Sequence, residues 1–393
     1  MIRPTDKDQR SRAPVKLFGA HLIHLVPTAF LLAILAPALR RVGFPLIWDW
    51  IGLFASFAWL ALQSIAIAGA LYSLQAPREV WPRLRAHYLQ DARRGLLFAA
   101  FAAIVILAGG LNYAPIAIID CVAVLELLQR DRSRAYLKSS AVSLIPAAAY
   151  LFVGLVLAFT YTNVIVRLRF FAAYDPVFNR FDARFFGTTV TALTERVSTV
   201  VPAGFFKMLN FIYYGMFAQI GAALVISGLS GGAKRSIQFV GSTVLAYYLA
   251  LILFYLFPSH GPYYFATDRF ARLYNDISAF RTQKIFLHDA WYLWHQKPVR
   301  SIPMGFYVAF PCMHMAQPLI VLWFLRRWRR VVGVLAAYDV LLVAAIVLLQ
   351  WHYFADLLGG VAVAIIAIVM SGRRFADEAN GEAQRLQAAA ATN

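Results

Sequence analysis

The stretch Gln350-Trp351-His352-Tyr353-Phe354-Ala355-Asp356 opens the last apolar block of the chain. On a helix, His352 and Asp356 stand four residues apart on one face, about 6 Å apart along the axis. A carboxylate there accepts a hydrogen bond from one imidazole nitrogen and leaves the other as nucleophile or base. The plainer alternative is an interfacial histidine that anchors a helix beside Trp351 and Tyr353. A second stretch, Phe310-Pro311-Cys312-Met313-His314-Met315, stands where a polar segment runs back into an apolar one. Proline suits a turn or a first helical position there. The backbone N–H groups that follow would form an anion cradle, and His314 could protonate a leaving oxygen. Taken alone, His314 is as readily a headgroup-level histidine without a partner. A third stretch, Phe257-Pro258-Ser259-His260-Gly261-Pro262-Tyr263, has the prolines and glycine of a defined turn. Phosphoryl oxygens would need Arg, Lys or backbone N–H partners. Arg269, Lys297, Arg300, Cys312 and Tyr263 are the candidate substrate contacts, with Arg272, Arg281 and Lys284 nearby. For any one of these cations, a lipid headgroup contact is the simpler alternative.

The elements that must position these residues are membrane spans. Of 393 residues, 61% are hydrophobic and 14% charged, against roughly 25% charged in a soluble domain. The apolar residues come in blocks of bilayer length; the block 237–257 carries no formal charge and would reach about 31 Å as a helix. Spans are expected at about 18–38, 46–73, 141–164, 205–228, 237–257, 307–325, 331–350 and 352–370. The apolar stretch 96–128 is broken by Gly109-Gly110-Leu111-Asn112-Tyr113-Ala114-Pro115 and reads as a re-entrant hairpin.

The net charge of +18 would suggest nucleic acid in a soluble protein. Here it reads as arginines in cytoplasmic loops. Arg326, Arg327, Arg329 and Arg330 mark one such loop; Lys234 and Arg235 mark another, within a turn Ser230–Ser236. Arg130, Arg132, Arg134 and Lys138 mark a third, and Arg373 and Arg374 follow the last span. This orientation places the loops 165–204 and 258–306 outside and brings His314 and His352 to the same outer face. Arg167, Arg169, Phe170 and Phe171 suggest a surface helix in the first of these loops, with a solvated linker as the alternative. Residues 1–16 read as a cytoplasmic tail before a retained span, and the polar segment after Gly372 as a partly disordered tail. Cys121 and Cys312 are expected to be free. His21 and His24 lack a third metal ligand. Asp339, mid-span and about 20 Å deeper than His352, calls for a polar partner in another helix.

The three stretches, in this order, resemble the type 2 phosphatidic acid phosphatase superfamily, and within it the inositol phosphorylceramide synthase-like branch. The likeness rests on the proline-rich turn at Phe257–Pro262, on F-P-x-x-H at Phe310–His314 and on H-Y-x-x-D-x-x-x-G at His352–Gly360. It covers about residues 141–370. It implies a six-helix bundle that needs no metal or cofactor. By that likeness His352 is the nucleophile, Asp356 its orienting partner and His314 the leaving-group acid. The chain departs from the family pattern at Cys312, where serine is usual, and at Ile346, where arginine is usual. It also lacks K-x-x-x-x-x-x-R-P. The synthase-like branch resembles it in departing from the phosphatase motifs.

The fold expected is therefore an all-α polytopic membrane bundle of about eight spans plus a possible hairpin. Residues 1–17 form a tail, 18–140 an N-terminal membrane extension, 141–371 the six-helix catalytic core and 372–393 a polar tail. The function expected is a phosphotransferase moving a phospho-headgroup, inositol-phosphate-like, to a lipid or sugar hydroxyl through a phosphohistidine. A lipid phosphate phosphatase is the first alternative, and a non-catalytic transporter or scaffold the second. Its partners would be membrane lipids and a phospholipid or lipid-phosphate substrate, with no nucleic acid. It would lie in the plasma (inner) membrane with the site facing the extracytoplasmic side.

Overall fold

The computed structural model describes residues 173–266, 269–270, 273, 277–295 and 308–391, together with isolated helical positions between 64 and 71 and between 147 and 169. Side chains of 229–234, 293 and 373–391 are outside this description. The expected span 18–38, the hairpin 96–128, the pair His21/His24 and Cys121 lie outside the described residues, as do Lys297 and Arg300.

Among the described residues all regular structure is helical. The order is α1 (Asp175–Phe186), α2 (Val190–Val200), α3 (Ala203–Leu256), α4 (Tyr263–Ala266), α5 (Ser278–Trp294), α6 (Met313–Leu325), α7 (Arg329–Leu348) and α8 (Phe354–Ala391). Among the described residues, four segments are long and apolar enough to cross a bilayer: Ala203–Gly228, Arg235–Leu256, Arg329–Leu348 and Phe354–Gly372. The apolar helix α6 is shorter. Only 39% of the window is buried in the last two of these segments. The exposed remainder is apolar, as at Val340, Leu341, Ile365, Ile366, Val369 and Met370. Apolar surface at that density faces hydrocarbon, which makes this an integral membrane protein.

The core lies where α3, α6, α7 and α8 meet, with Phe206, Phe239, Ile320, Leu325, Leu342 and Val363 buried in it. The helical run of α3 holds two spans. Its 54 residues would be about 81 Å long if straight. Yet Tyr213, near its start, and Tyr263, just past its end, both contact Trp351, with ring centroids at 5.1 and 5.8 Å. The chain must therefore fold back within α3. The expected turn Ser230–Ser236 falls where the two spans meet, and the backbone is helical through it.

Three other expectations change. The loop 165–204 carries two amphipathic helices, α1 and α2, and the loop 258–306 carries the 17-residue α5. The expected span 307–325 becomes helical only at Met313, with Cys312 extended ahead of it. The segment after Gly372 stays helical to Ala391, consistent with its alanines, the strongest helix formers.

Candidate functional site

Three loop segments converge at one end of the bundle. The turn 258–261 is tied to the second stretch by Ala309 N–H donating to Ser259 O (3.0 Å) and Phe310 N–H to Ser259 Oγ (2.9 Å). The second is tied to the third by Cys312 N–H donating to Asp356 O (3.0 Å). The third returns to the first through Tyr263 N–H donating to Gln350 O (3.3 Å). Two glycines permit these approaches. Gly261 has φ +117°, and a Cβ there would lie 2.5 Å from Trp351 O. A Cβ on Gly360 would lie 2.3 Å from Cys312 O, so only glycine lets α8 pass the start of α6 this closely.

His352 sits in this junction just before α8, 4% exposed. Its Nδ1 lies 2.8 Å from Ala309 O and 3.4 Å from Asp356 Oδ2. Both neighbours are acceptors, so Nδ1 carries a proton and the lone pair of the neutral ring is on Nε2. Asp356 is fully buried, and its Oδ2 also accepts from Tyr353 N–H (2.8 Å). Burial disfavours the imidazolium form of His352. The Cys312 sulfur and the Asp356 carboxylate beside it favour that form and prevail, pushing the ring up to about 10.

The ring of His314 lies 5.7 Å from that of His352, centroid to centroid. It stacks on Tyr213 at 4.2 Å, and Tyr213 stacks in turn on Trp351. The buried Nε2 of His314 has no hydrogen-bond partner among the described residues. Cys312, fully buried, sits between: its Sγ and one ring nitrogen of each histidine lie within 4.8 Å of one another. Cys312 is also the residue from which α6 starts. The amides of Met313 and His314 that follow belong to the first helical turn, which has no intrahelical acceptor.

The other candidate contacts divide. Tyr263 is buried against Trp351. Arg269 points to the surface, 60% exposed, where it pairs with Glu195 at 3.2 Å. Asp339, deep in α7, receives the Nε2–H of Gln219 on Oδ1 at 2.9 Å, the inter-helix polar partner that its depth requires.

Two carboxylates that sequence reasoning passed over hold the junction from outside. Asp175, at the start of α1, accepts from His260 N–H (3.0 Å) and Gly261 N–H (2.8 Å) through Oδ1, and from the Tyr353 hydroxyl (3.1 Å). Burial raises its pKa, against the opposing effect of those donors and of His260. Asp182, two turns on, accepts from Phe354 N–H (2.9 Å) and Ala355 N–H (3.1 Å). It thereby caps α8, satisfying orphan donors at its N-terminus. Burial, outweighing those two bonds, and the nearby Asp356 charge push its carboxyl up to about 6. Their spacing of seven on an amphipathic helix places both on the face of α1 toward the site.

Gln350 was legible only as part of the motif. Its φ of +62° is left-handed, a conformation costing a non-glycine residue on the order of 1–3 kcal/mol. Its side chain is fixed from α2: Oε1 accepts from Thr191 Oγ1 (3.0 Å), and Nε2 donates to Thr194 Oγ1 (2.6 Å) and Val190 O (3.2 Å). The bend it makes turns Trp351 and His352 inward. α5 covers the same place, with Gln283 Nε2 donating to Leu349 O (2.5 Å) and Phe286 against Trp351.

An imidazole with its tautomer fixed, a second imidazole beside it and a helix start are groups that phosphoryl transfer can use. Residues 178–370 match the sequence model of the PAP2 superfamily. That segment includes all three loop stretches and Asp182 and begins three residues after Asp175. The match supports an enzyme activity of the phosphatase or phosphotransferase type on lipid phosphates. No curated protein and no solved structure matches the chain.

Proposed function

With residues 178–370 matching the PAP2 superfamily as the premise, we propose that this protein transfers a phospho-headgroup from a lipid donor to a lipid or sugar hydroxyl through a phosphohistidine on His352. The observation that carries the reading is the placement of His352: Nδ1 held by the Ala309 carbonyl, Nε2 directed away from that bond, and His314 alongside.

The two imidazoles work as a pair. Two imidazolium ions this close in a buried site repel, so the pair holds a single proton beyond those of the two neutral rings. At rest His352 carries it, supported by Asp356. Passing the Nε2 proton to the open Nε2 of His314 leaves His352 a nucleophile and His314 an acid in one move. His352 Nε2 then attacks phosphorus, the P–O bond to the leaving alcohol breaks, and His314 gives that oxygen the proton. In the second half His314 takes the proton of the acceptor hydroxyl, whose oxygen attacks the phosphohistidine and restores His352. Backbone N–H groups at the start of α6 face the phosphoryl charge. Asp356 does not leave its place; it orients His352 and stabilises its cationic form.

The stacked Tyr213 and Trp351 and the buried Cys312 keep the site poor in water, which favours an alcohol acceptor over hydrolysis. The inositol-phosphate-like headgroup rests on the resemblance to the synthase-like branch. The orientation rests on charge. Arg235 and Arg326, donating to Phe324 O and Trp323 O, mark the far end of α6. Its 13 residues set them about 20 Å from His314. Basic residues stay cytoplasmic, so the site faces the extracytoplasmic side of a plasma membrane.

Purified protein given a labelled phospholipid donor tests the reading. Label moving with the headgroup onto an added lipid or sugar alcohol supports transfer. Release of inorganic phosphate, with no headgroup-bearing product, replaces transfer by the phosphatase reading.

A further inference from the structure

The proposed chemistry uses the two histidines but gives the thiol between them no bond to make or break. We propose that Cys312, His314 and His352 form a three-ligand site for a thiophilic divalent cation, Zn²⁺ above all, and that the bound cation blocks the enzyme. The donor set is one sulfur and two imidazole nitrogens, the combination that Zn²⁺ prefers over hard cations such as Mg²⁺ and Ca²⁺. Their donor atoms lie within 4.8 Å of one another. Around a tetrahedral Zn²⁺, with bonds of about 2.0–2.3 Å, donors stand roughly 3.5 Å apart. Side-chain rotations of about an ångström close that difference.

The surroundings of these residues suit the same role. A metal-bound histidine characteristically donates its other ring N–H to a carbonyl or carboxylate, which fixes the tautomer and aims the free nitrogen. His352 does so through Nδ1, to Ala309 O and toward Asp356. His314 offers a buried Nε2 with no partner among the described residues, the state of a ligand without its ion. Three protein donors leave the fourth tetrahedral position to water or a phosphate oxygen. Binding breaks the S–H bond of Cys312, forms an S–Zn bond and releases that proton. Where His352 carries its extra proton, the Nε2 proton is released as well. The cation then occupies the lone pair on which the proposed attack depends, so the inhibition rests on the proposed function while the binding does not.

Cobalt(II) serves as the spectroscopic probe, added to chelator-stripped, full-length protein in detergent. The expected result is saturation at one equivalent, with tetrahedral d–d bands and a thiolate-to-cobalt charge-transfer band, both lost on adding Zn²⁺. Cys312→Ser should abolish the charge-transfer band. His314→Ala should weaken binding by more than the roughly 10–100-fold that loss of an outer-shell partner costs. Retention of the native melting temperature shows each variant folded. Absence of the bands in the wild type overturns the site, as does a charge-transfer band that survives in Cys312→Ser, which would assign it to Cys121. A parallel assay measures lipid-phosphate turnover against Zn²⁺, with inhibition expected to be reversed by chelator and weakened in Cys312→Ser. Turnover indifferent to Zn²⁺ in protein that shows the cobalt bands overturns the inhibition alone. Absence of any turnover alongside the bands counts against the proposed function and leaves the cation site standing.

Discussion

Two sets of buried carboxylates among the described residues are served differently. At the site end, Asp175, Asp182 and Asp356 accept between them from five backbone N–H groups, those of His260, Gly261, Phe354, Ala355 and Tyr353. Deep in the bundle, Asp339 accepts from one side-chain amide, Gln219. Backbone donors fix where a chain goes, whereas a side-chain donor fixes only how two helices register. The site-end acids therefore hold the loops of the candidate site, and Asp339 holds a helix contact. Buried polar groups that are fully bonded specify one arrangement, and losing one partner strands the rest.

Asp175→Ala should break this comparison most sharply. It strands two amides and the Tyr353 hydroxyl, for a loss of about 2–4 kcal/mol in thermal denaturation of the detergent-solubilised protein, with turnover falling alongside. Gly360→Ala comes next. Its methyl would meet the Cys312 carbonyl, and the backbone shift that relieves this should cost about 1–3 kcal/mol and reduce kcat more than it raises KM. Asp182 sharpens the comparison through pH. Its carboxyl is raised to about 6 in the folded protein, above the ordinary carboxylate value. Between those two values the folded state binds more protons than the unfolded one, so this group makes stability fall as pH rises from about 4 to about 6. Subtracting the Asp182→Asn melting profile from that of the wild type should isolate a decline over that window; a flat difference would remove the assignment. Asp339→Asn should do least. It keeps an oxygen for Gln219, and both turnover and stability should stay within about 0.5 kcal/mol of the wild type.

The sequence displayed one half of this contrast well. His314, His352, Asp356 and Gly360 could be read because their spacing repeats a known pattern, and the mid-span Asp339 because an acid at that depth demands a partner. The apolar blocks likewise mark the membrane bundle, since hydropathy is local. Asp175 and Asp182 were not legible. Their partners are backbone amides far along the chain, and an amide has no residue type to betray it. Arg269 lies at the surface beside Glu195, since closeness to a motif in sequence does not by itself aim a long side chain. The junction at Gln350 was hidden for a related reason, because its left-handed turn is held by threonines about 160 residues earlier.

Trapping the covalent intermediate tests the account most directly. Protein mixed with phospholipid donor, quenched in alkali and digested for mass spectrometry should carry a phosphoryl-bearing group on the peptide that contains His352. The adduct should be acid-labile and base-stable, and His352→Ala should lose both the adduct and at least about 10³-fold in turnover. Turnover in His352→Ala close to that of the wild type, with no adduct trapped in either protein, would contradict it.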